Sequence, residues 1–453
     1  MTTKGGTSPA PTDPVFAPLE QAAKQEGARA WVVGGYVRDH LLGYEHPDID
    51  VVVEDGKGLE LARSFAALTG SPEPVLFERF GTAQVRFRVR LIEFASTRAE
   101  SYESNSRKPE VRPASLDEDL RRRDFTVNTL LMDFEGRVHD RTGQGLPDLE
   151  ARLLRTPLDP EQTFADDPLR MLRGIRFAAE LGFQLDPALL PSMRNLRDRL
   201  QPPVLSVERT ADELRKMLLS ERPREAFELL DGAGLLEVVL PEVAACKGVH
   251  QGGWHTHDVL GHTLLTVEKS KNDELVRLAA LLHDIGKPVT ATPDGAFIGH
   301  DAEGARLAGE VLRRLRFSNV LADRVARLVR LHLRPVFYDG GQWKDGAVRK
   351  LARDAGDLLW PLMDLARADV AASAYPEPEK LDELEARLKT VLDERPSRFR
   401  LPVAGGDIMR LRGLKPGPEV GRIKKRLEEL LLEGAIEPER EAVLAYLESH
   451  PEL

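Results

Sequence analysis

The stretch "WVVGGYVRDHLLGYEHPDIDVVVE", Trp31 to Glu54, decides how the first third of this chain folds. An apolar run, Trp31 to Val33, ends on two glycines, and the short segment "YVRDHLLG" follows. A second apolar run, Val51 to Val53, is entered through Asp48 and Asp50. The pattern predicts strand, turn, helix and strand. Residues two apart on a strand share a face, so Asp48 and Asp50 project together. Carboxylates crowded on one face repel each other, and a cation between them removes that penalty. Hard oxygen donors of this kind suit Mg2+. Gly34 and Gly35 open the helix. Its first amides can receive a phosphate, and the missing Cβ atoms let that phosphate come close. Arg38, one turn further, can add its charge to a triphosphate.

Outside this stretch the chain keeps the same mixed character as far as Arg155. "AQVRFRVR" alternates from Val85 to Val89, the mark of a half-buried strand. "LIEFAST" and "TLLMDFEG" read as further strands, while the polar run from Arg98 to Asp117 reads as a loop. Beyond Arg155 strand signals nearly vanish. "DDPLRMLRGIRFAAELGF" predicts a helix with acids in its first turn, Pro168 near its start and Gly182 at its end. "SVERTADELRKMLLS" predicts another, with Ser206 as its cap. The expected fold class is multidomain α+β, an α/β head followed by an all-α body.

Length and composition fit that layout. A chain of 453 residues is too long for one core, and two to four domains are expected. With 42% hydrophobic and 30% charged residues it reads as soluble. No segment approaches the ~18 continuous apolar residues that span a membrane. The first residues, "MTTKGGTSPAPTDP", lack the apolar centre of a signal peptide and read as a flexible tail. The single cysteine, Cys246, excludes an intrachain disulfide and reads as a small buried residue. Both features point to a reducing, cytoplasmic compartment. The net charge of -10 argues weakly against nucleic acid, but steering depends on local patches. Basic clusters do occur, at "DLRRRDF", "RMLRGIR" and "GRIKKR".

Two segments bear on which nucleotide the first site takes. "RRRDFTVNTLL" gathers Arg122, Arg123, Asp124 and Asn128, and "FADDPLRMLRGIRF" sets Asp167 and Arg170 one helical turn apart. Such a pair can be an intrahelical salt bridge. It can also read a base. Cytosine and adenine each place an amino donor beside a ring-nitrogen acceptor, matching an aspartate acceptor and an arginine donor. Uracil and guanine reverse the order and leave both protein groups unpaired, at about 1–3 kcal/mol per group.

The helical body carries a second constellation. His262, adjacent His283 and Asp284 in "LLHDIGKP", His300, His332 and Asp369 recur on helices at intervals suited to one cluster. Imidazoles mixed with carboxylates suit a divalent transition metal with positions left for water. Lys287 can hold a phosphate. His255 and His257 have no assigned role. Near the end, Val420, Ile423, Leu427 and Leu430 form an apolar stripe that leaves Arg422, Lys424, Lys425 and Arg426 outward. Backbone phosphates or plain solvent can face that side.

The motifs "GGYVRD" with "DID", "RRDFTVN", "DRTGQGLPDL", "DDPLRMLR" and "SVERTADELRK" occur together, in order, across the first half of the chain. This set closely resembles the class II tRNA nucleotidyltransferases, the CCA-adding enzymes, whose head belongs to the superfamily of DNA polymerase beta. The resemblance implies addition of C and A to the tRNA 3′ end from CTP and ATP. It implies catalytic Mg2+ at Asp48 and Asp50, and Glu93 is a possible third acid, although a surface glutamate is the plainer reading. Gly34, Gly35, Arg38, Arg123, Asp124, Asn128, Arg173 and Arg176 would line the nucleotide site. Asp167 and Arg170 would act as a template made of protein. Arg209, Glu213 and Lys216, on one face of their helix, would brace it, and Asp140, Gly143 and Gly145 would form a hinge. One position departs from the family pattern, Asp166 standing where glutamate is usual. The histidine set resembles the HD phosphohydrolase superfamily, with His262, His283, Asp284 and Asp369 as core ligands and His300 and His332 as ligands of a second metal. Such a domain is appended to some bacterial CCA-adding enzymes and implies hydrolysis of phosphoesters on RNA 3′ ends or nucleotides. Lys424, Lys425 and Arg426 would touch RNA.

The expected domains are a tail at 1–16, a nucleotidyltransferase head at 17–155, a nucleotide-recognition neck at 156–240, an HD domain at 241–380 and a tRNA-binding tail at 381–453. Three rivals share parts of this pattern. A poly(A) polymerase shares the catalytic motifs but lacks an HD section. An HD hydrolase with a degenerate head would not keep Asp48 and Asp50. A nucleotidylyl-transferring regulator of another protein would lack "RRDFT" and the Asp167–Arg170 pair. Whether C and A are both added, or only one of them, stays open in the sequence, as does the oligomeric state.

Overall fold

The computed structural model describes residues 13–45, 48–101, 110–252, 256–393 and 401–453. The chain forms two compact units, residues 1–217 with 225–239, and residues 218–224 with 240–453.

The first unit is built on a seven-stranded sheet. Its elements run α1 (Phe16–Glu26), β1 (Ala30–Val33), α2 (Gly35–Leu42), β2 (Ile49–Val53), α3 (Gly58–Thr69), β3 (Val75–Phe77), β4 (Thr82–Phe87) and β5 (Arg90–Ser96). They continue with β6 (Arg98–Ser101), β7 (Glu110–Pro113), α4 (Leu116–Arg121), β8 (Leu131–Met132) and β9 (Val138–His139). The strand order is β3-β4-β5-β2-β1-β8-β9. β2 runs parallel to β5 and antiparallel to β1, which sets Asp50 beside Glu93 on one side and Val33 on the other. Ile49, Val51 and Val53 are buried on one face of β2, while the other face buries Val52 against Leu116, Leu120 and Leu131 and leaves Asp50 exposed at the start of the strand. Phe65 on α3 packs edge-on and tilted against Phe87 and Phe94, each 5.6 Å away. Fully burying such a ring stabilises the unit by about 2–3 kcal/mol.

Three sequence expectations change here. The alternation through Val89 overruns its strand. β4 ends at Phe87, Arg88 takes a left-handed φ of 57°, and Val89 is 95% exposed in the turn. The polar run from Arg98 is not wholly loop, because β6 and β7 pair antiparallel from Arg98↔Pro113 to Ser101↔Glu110. Backbone pairing makes that ribbon, and its side chains carry little apolar alternation to read. The end of the expected tail is also fixed. Asp13 accepts hydrogen bonds from Tyr36 Oη and Arg90 Nη1, and Val15 is fully buried.

After the sheet come α5 (Gly145–Glu150), α6 (Pro160–Asp166), α7 (Leu169–Leu181), α8 (Leu189–Leu196) and α9 (Val207–Leu219). Asp159 caps α6 by accepting from the amides of Glu161 and Gln162. Pro168 precedes α7, and Gly182 closes it with φ 64°.

The second unit is helical, and its described residues hold no strand beyond the isolated bridge Ala291↔Phe297. Helices Val259–Lys269, Glu274–Leu282, His300–Arg314, Asn319–Leu331 and Leu359–Ala371 enclose a core that includes Leu264, Leu281, Leu328, Leu362 and Leu365. A separate apolar cluster of Ile408, Ile423, Leu427, Leu430, Val443 and Leu447 joins helices Gly405–Arg412, Pro418–Glu433 and Arg440–Ser449. No helix among the described residues is long and apolar enough to cross a membrane. Cys246 is a free, buried thiol whose pKa burial pushes up, so it is a packing residue.

Candidate active sites

The first site lies where β1 turns into α2. Gly34 adopts φ 79° and ψ -138°, a region that only glycine enters without strain. A Cβ there would lie 3.4 Å from Asp50 Oδ2 and 3.6 Å from Arg123 Nη1. The turn, the carboxylate and the guanidinium therefore meet at one point. Asp48 and Asp50 are both exposed, side by side at the start of β2. Glu93, half-buried on β5, stands in register with Asp50 and accepts a hydrogen bond from Gln84 Nε2 at 3.1 Å. Asp50 and Glu93 thus share one sheet face, with Asp48 just ahead of the strand, and carboxylates gathered in this way suit Mg2+. The sequence reading offers Glu93 as a possible third acid, with a surface glutamate as the plainer alternative. Its signal was weak, since only the β2–β5 register puts it beside Asp50.

Behind this face lies a network of paired charges. Arg38 is buried and held by three hydrogen bonds: Nε and Nη2 donate to the two oxygens of Asp39 at 2.7 and 3.0 Å, and Nη1 donates to Asn128 Oδ1 at 2.9 Å. The sequence reading set Arg38 on the triphosphate, whereas here it anchors Asn128. Asn128 Nδ2 donates to Asp124 Oδ1 at 2.9 Å, and Arg173 grips Asp124 Oδ2 through Nε at 2.9 Å and Nη2 at 2.7 Å. Burial alone would raise the Asp124 pKa. The guanidinium of Arg173 and the bond from Asn128 hold it well below the usual carboxylate range. Asp119, also buried, accepts from Arg122 at 2.7 Å and Arg123 at 3.2 Å.

On the neighbouring helices, Asp167 does not pair with Arg170. Its Oδ2 accepts from Arg209 Nη2 on α9 at 2.9 Å, and its Oδ1 accepts from the Leu169 amide. Arg170 is only 9% exposed, and its charge adds to that of Arg173 in lowering the Asp124 pKa. A second brace joins Arg176 Nε to Glu213 Oε2 at 2.7 Å. The expected bracing face of α9 is thereby occupied at Arg209 and Glu213. In the "DRTGQG" turn Asp140 accepts from the Gly143 and Leu146 amides. Gly145 packs so tightly that a Cβ would meet Leu130 Cδ2 at 2.7 Å.

The second unit brings all six expected HD residues together. Asp284 presents one oxygen to each half of the cluster. Oδ2 lies 3.1 Å from His283 Nε2 and 3.9 Å from His262 Nε2, and Oδ1 lies 3.6 Å from His300 Nε2 and 3.9 Å from His332 Nε2. Asp369 Oδ1 is 2.9 Å from His262 Nε2. Among the described residues the only groups of three such donors within 4.8 Å are His262, His283 and Asp284, and Asp284, His300 and His332. Each of His283, His300 and His332 directs Nδ1 to a backbone carbonyl, of Ala280, Phe297 and Val329, at 2.8, 2.7 and 2.6 Å. That carbonyl holds the proton on Nδ1 and leaves Nε2 as a lone pair, as metal-binding imidazoles require. Asp284 Oδ1 and His300 Nε2 are buried without a hydrogen bond. Orphaned buried acceptors converging like this suit divalent cations, which these residues would hold.

Gly286 permits the arrangement. A Cβ there would lie 2.2 Å from the His300 carbonyl, so only glycine lets the His283–Lys287 turn seat on helix His300–Arg314. Lys287 Nζ donates to Asp284 Oδ2 and Gln251 Oε1, each at 2.7 Å. A cavity of about 370 Å³ opens onto the cluster, walled by Phe297, Phe337 and Tyr375. His257 stands outside the cluster, and His255 lies outside the described residues. Lys424, Lys425 and Arg426 are exposed on helix Pro418–Glu433, opposite buried Ile423 and Leu427, with Arg426 paired to Glu429 at 3.2 Å.

A polymerase-type head bearing paired acids, joined to an HD metal cluster, is the class that this fold and these sites define. Residues 30–155 match the Poly A polymerase head domain, residues 182–247 the probable RNA and SrmB-binding site of polymerase A, and residues 255–394 the HD domain. The A-adding tRNA nucleotidyltransferase of Deinococcus radiodurans is 33% identical across 91% of this chain and 94% of its own length. The CC-adding tRNA nucleotidyltransferase of Thermus thermophilus is 36% identical across 91% of this chain and 92% of its own. The crystal structure of the Bacillus stearothermophilus CCA-adding enzyme with CTP superposes with a TM-score of 0.67 at 24% identity, over 97% of this chain and 98% of that one, a likeness of fold. The chain belongs to the bacterial tRNA nucleotidyltransferase family of CCA-adding enzymes.

Proposed function

We propose that this enzyme adds C and A nucleotides to the 3′ end of tRNA without a nucleic-acid template, taking CTP and ATP. One observation carries the reading: the Asp167 carboxylate is held in place by Arg209 on α9 and not by Arg170, which lies buried one turn away. A pyrimidine or purine with an amino group beside a ring nitrogen satisfies both groups, and uracil and guanine satisfy neither. The turn at Gly34 and the first amides of α2 receive the triphosphate. Asp48 and Asp50, with Glu93 beside them, would hold Mg2+, which when bound lowers the pKa of the attacking hydroxyl and stabilises the departing charge. The RNA 3′-hydroxyl is aligned on the α-phosphate, its new ester bond forming as the bond to pyrophosphate breaks. Arg123 stands beside that phosphate, and Arg173, Asp124 and Asn128 hold the wall behind it.

In the same reading 17–155 is the head, 156–240 the base-reading neck, 241–380 the HD domain and 381–453 an RNA-binding tail in which Lys424, Lys425 and Arg426 meet phosphates. The HD site hydrolyses phosphoesters at RNA 3′ ends or on nucleotides, with a pair of divalent transition ions and Lys287 facing the phosphate. Work on tRNA ends places the protein in the cytoplasm. A second reading, addition of only CC or only A, is favoured by the comparable identity to a CC-adding and an A-adding relative. The test incubates the purified chain with tRNA lacking all three terminal nucleotides, or ending in C or CC, with CTP, ATP or UTP singly and together. Full addition from CTP and ATP, with UTP refused, is expected. Use of ATP alone on the CC end, or of CTP alone, would establish the second reading, and addition of neither would refute both.

A further inference from the structure

Phe177 sits on α7, 7% exposed, with three guanidinium groups around its ring. The Cζ atoms of Arg38, Arg173 and Arg176 lie 4.9, 5.0 and 4.3 Å from its centroid. Three like charges about one buried side chain repel unless something holds them. Each has an outside partner: Arg38 has Asp39 and Asn128, Arg173 has Asp124, and Arg176 has Glu213 and Glu180. What they share is the electron-rich face of the ring, which attracts a planar cation where an alkyl side chain does not. Phe125, next to Asp124, packs edge-on against the same ring at 6.0 Å and 89°. Gly174 allows this, since a Cβ there would meet Phe125 Cζ at 2.9 Å.

The ring therefore contacts side chains from three of the segments proposed to form the nucleotide site. Arg38 comes from the helix that opens at Gly34–Gly35. Phe125 comes from the "RRDFT" segment. Arg173 and Arg176 belong to the helix that begins beside Asp167 and carries Arg170, and Arg176 ties it to α9. A bound nucleotide would span the same distance, with its phosphates at the glycine turn and its base at Asp167 and Arg170. We infer that Phe177 is a positioning residue that sets the spacing between the phosphate-receiving turn and the base-reading pair. With the two ends held rigidly apart, a wrongly paired base pulls the α-phosphate out of line. This inference rests on the proposed function, because it assigns Phe177 to the accuracy of that reaction.

The test compares wild type with Phe177→Leu, Phe177→Met and Phe177→Tyr as full chains. It measures kcat and KM for CTP and UTP on a tRNA lacking its last two nucleotides, and for ATP on one ending in CC, beside thermal unfolding. In the Leu and Met variants KM for CTP and ATP rises, and the preference for CTP over UTP falls on the order of ten-fold, because a loosened spacing lets a wrongly paired base still align its α-phosphate. Their kcat at saturating CTP stays within about three-fold of wild type, and Tyr, which keeps the ring, restores both KM and preference. An unchanged preference with loss only in kcat overturns the inference, and so does a Tyr variant as impaired as Leu. Failure of both Leu and Met to fold while Tyr folds would mark Phe177 as structural only. A wild type with no preference for CTP over UTP would overturn the proposed function itself, and this inference with it.

Discussion

Arg209 Nη2 donates to Asp167 Oδ2 at 2.9 Å, so the carboxylate proposed to read a base is held by a neighbouring helix and not by Arg170, its own helical neighbour. Had Asp167 and Arg170 paired with each other, the edge they offer would be closed. Arg209→Ala should free the Asp167 side chain and lower kcat/KM for CTP and ATP on the order of ten-fold, with UTP affected less. Because Arg209 is half exposed, the loss in folding stability should stay within about 1 kcal/mol. Steady-state incorporation and a urea titration check the two numbers separately. Equal losses for all nucleotides would show that Arg209 does not act through Asp167.

Gly34 should tolerate no side chain. Its φ of 79° strains any L-residue, although a Cβ would meet Asp50 and Arg123 only at contact distance. Gly34→Ala should therefore cost about 1–2 kcal/mol through the backbone. It should also raise KM for both nucleotides by displacing the turn that receives phosphate. An alanine variant with wild-type KM would remove this turn from the binding site.

Asp124 makes acid stability readable. Its folded pKa is depressed, with Arg173 and Asn128 outweighing burial. Its contribution is fully present above the ordinary carboxylate pKa of about 4. It is lost as the pH falls through the lower folded value. Wild type should lose stability steadily below pH ~4, and Asp124→Asn should show a shallower slope there. At neutral pH that variant should be less stable by about 3 kcal/mol, since Arg173 loses its partner. Denaturant titrations at several pH values measure both effects. Parallel slopes would show that other carboxylates dominate.

How far the residues could be read depended on whether the signal was local. Gly34, Asp48 and Asp50 were legible because turn chemistry and strand period act over a few residues, and the HD histidines because their spacing is itself a motif. The place of Glu93 beside Asp50 was not, since it comes from β2 pairing in parallel with β5, forty residues apart in the chain. Arg38 was misplaced for a related reason. One turn into α2 it could reach a phosphate, but Asn128, ninety residues on, claims it. Phe177 carried no local signal, and only the assembled structure shows three cations around it. The strand that was drawn too long, through Val89, failed at Arg88, where a left-handed turn follows a pattern that still alternates.

The HD cluster predicts its own metal stoichiometry. Asp284 gives Oδ2 to the side of His262 and His283 and Oδ1 to the side of His300 and His332. If both sides bind, the chain incubated with Mn2+ or Ni2+ and then desalted should retain about two ions, as a dinuclear hydrolytic site does. Asp284→Ala removes the shared ligand and should leave close to none. His300→Ala should retain about one, on the side where His262, His283 and Asp369 remain. Elemental analysis of the three proteins decides the matter, with nucleotide addition assayed in parallel as proof of folding. Equal metal content in wild type and Asp284→Ala would exclude a bridging role. A single ion in wild type, lost in His300→Ala, would place the tighter site on the side of His300 and His332.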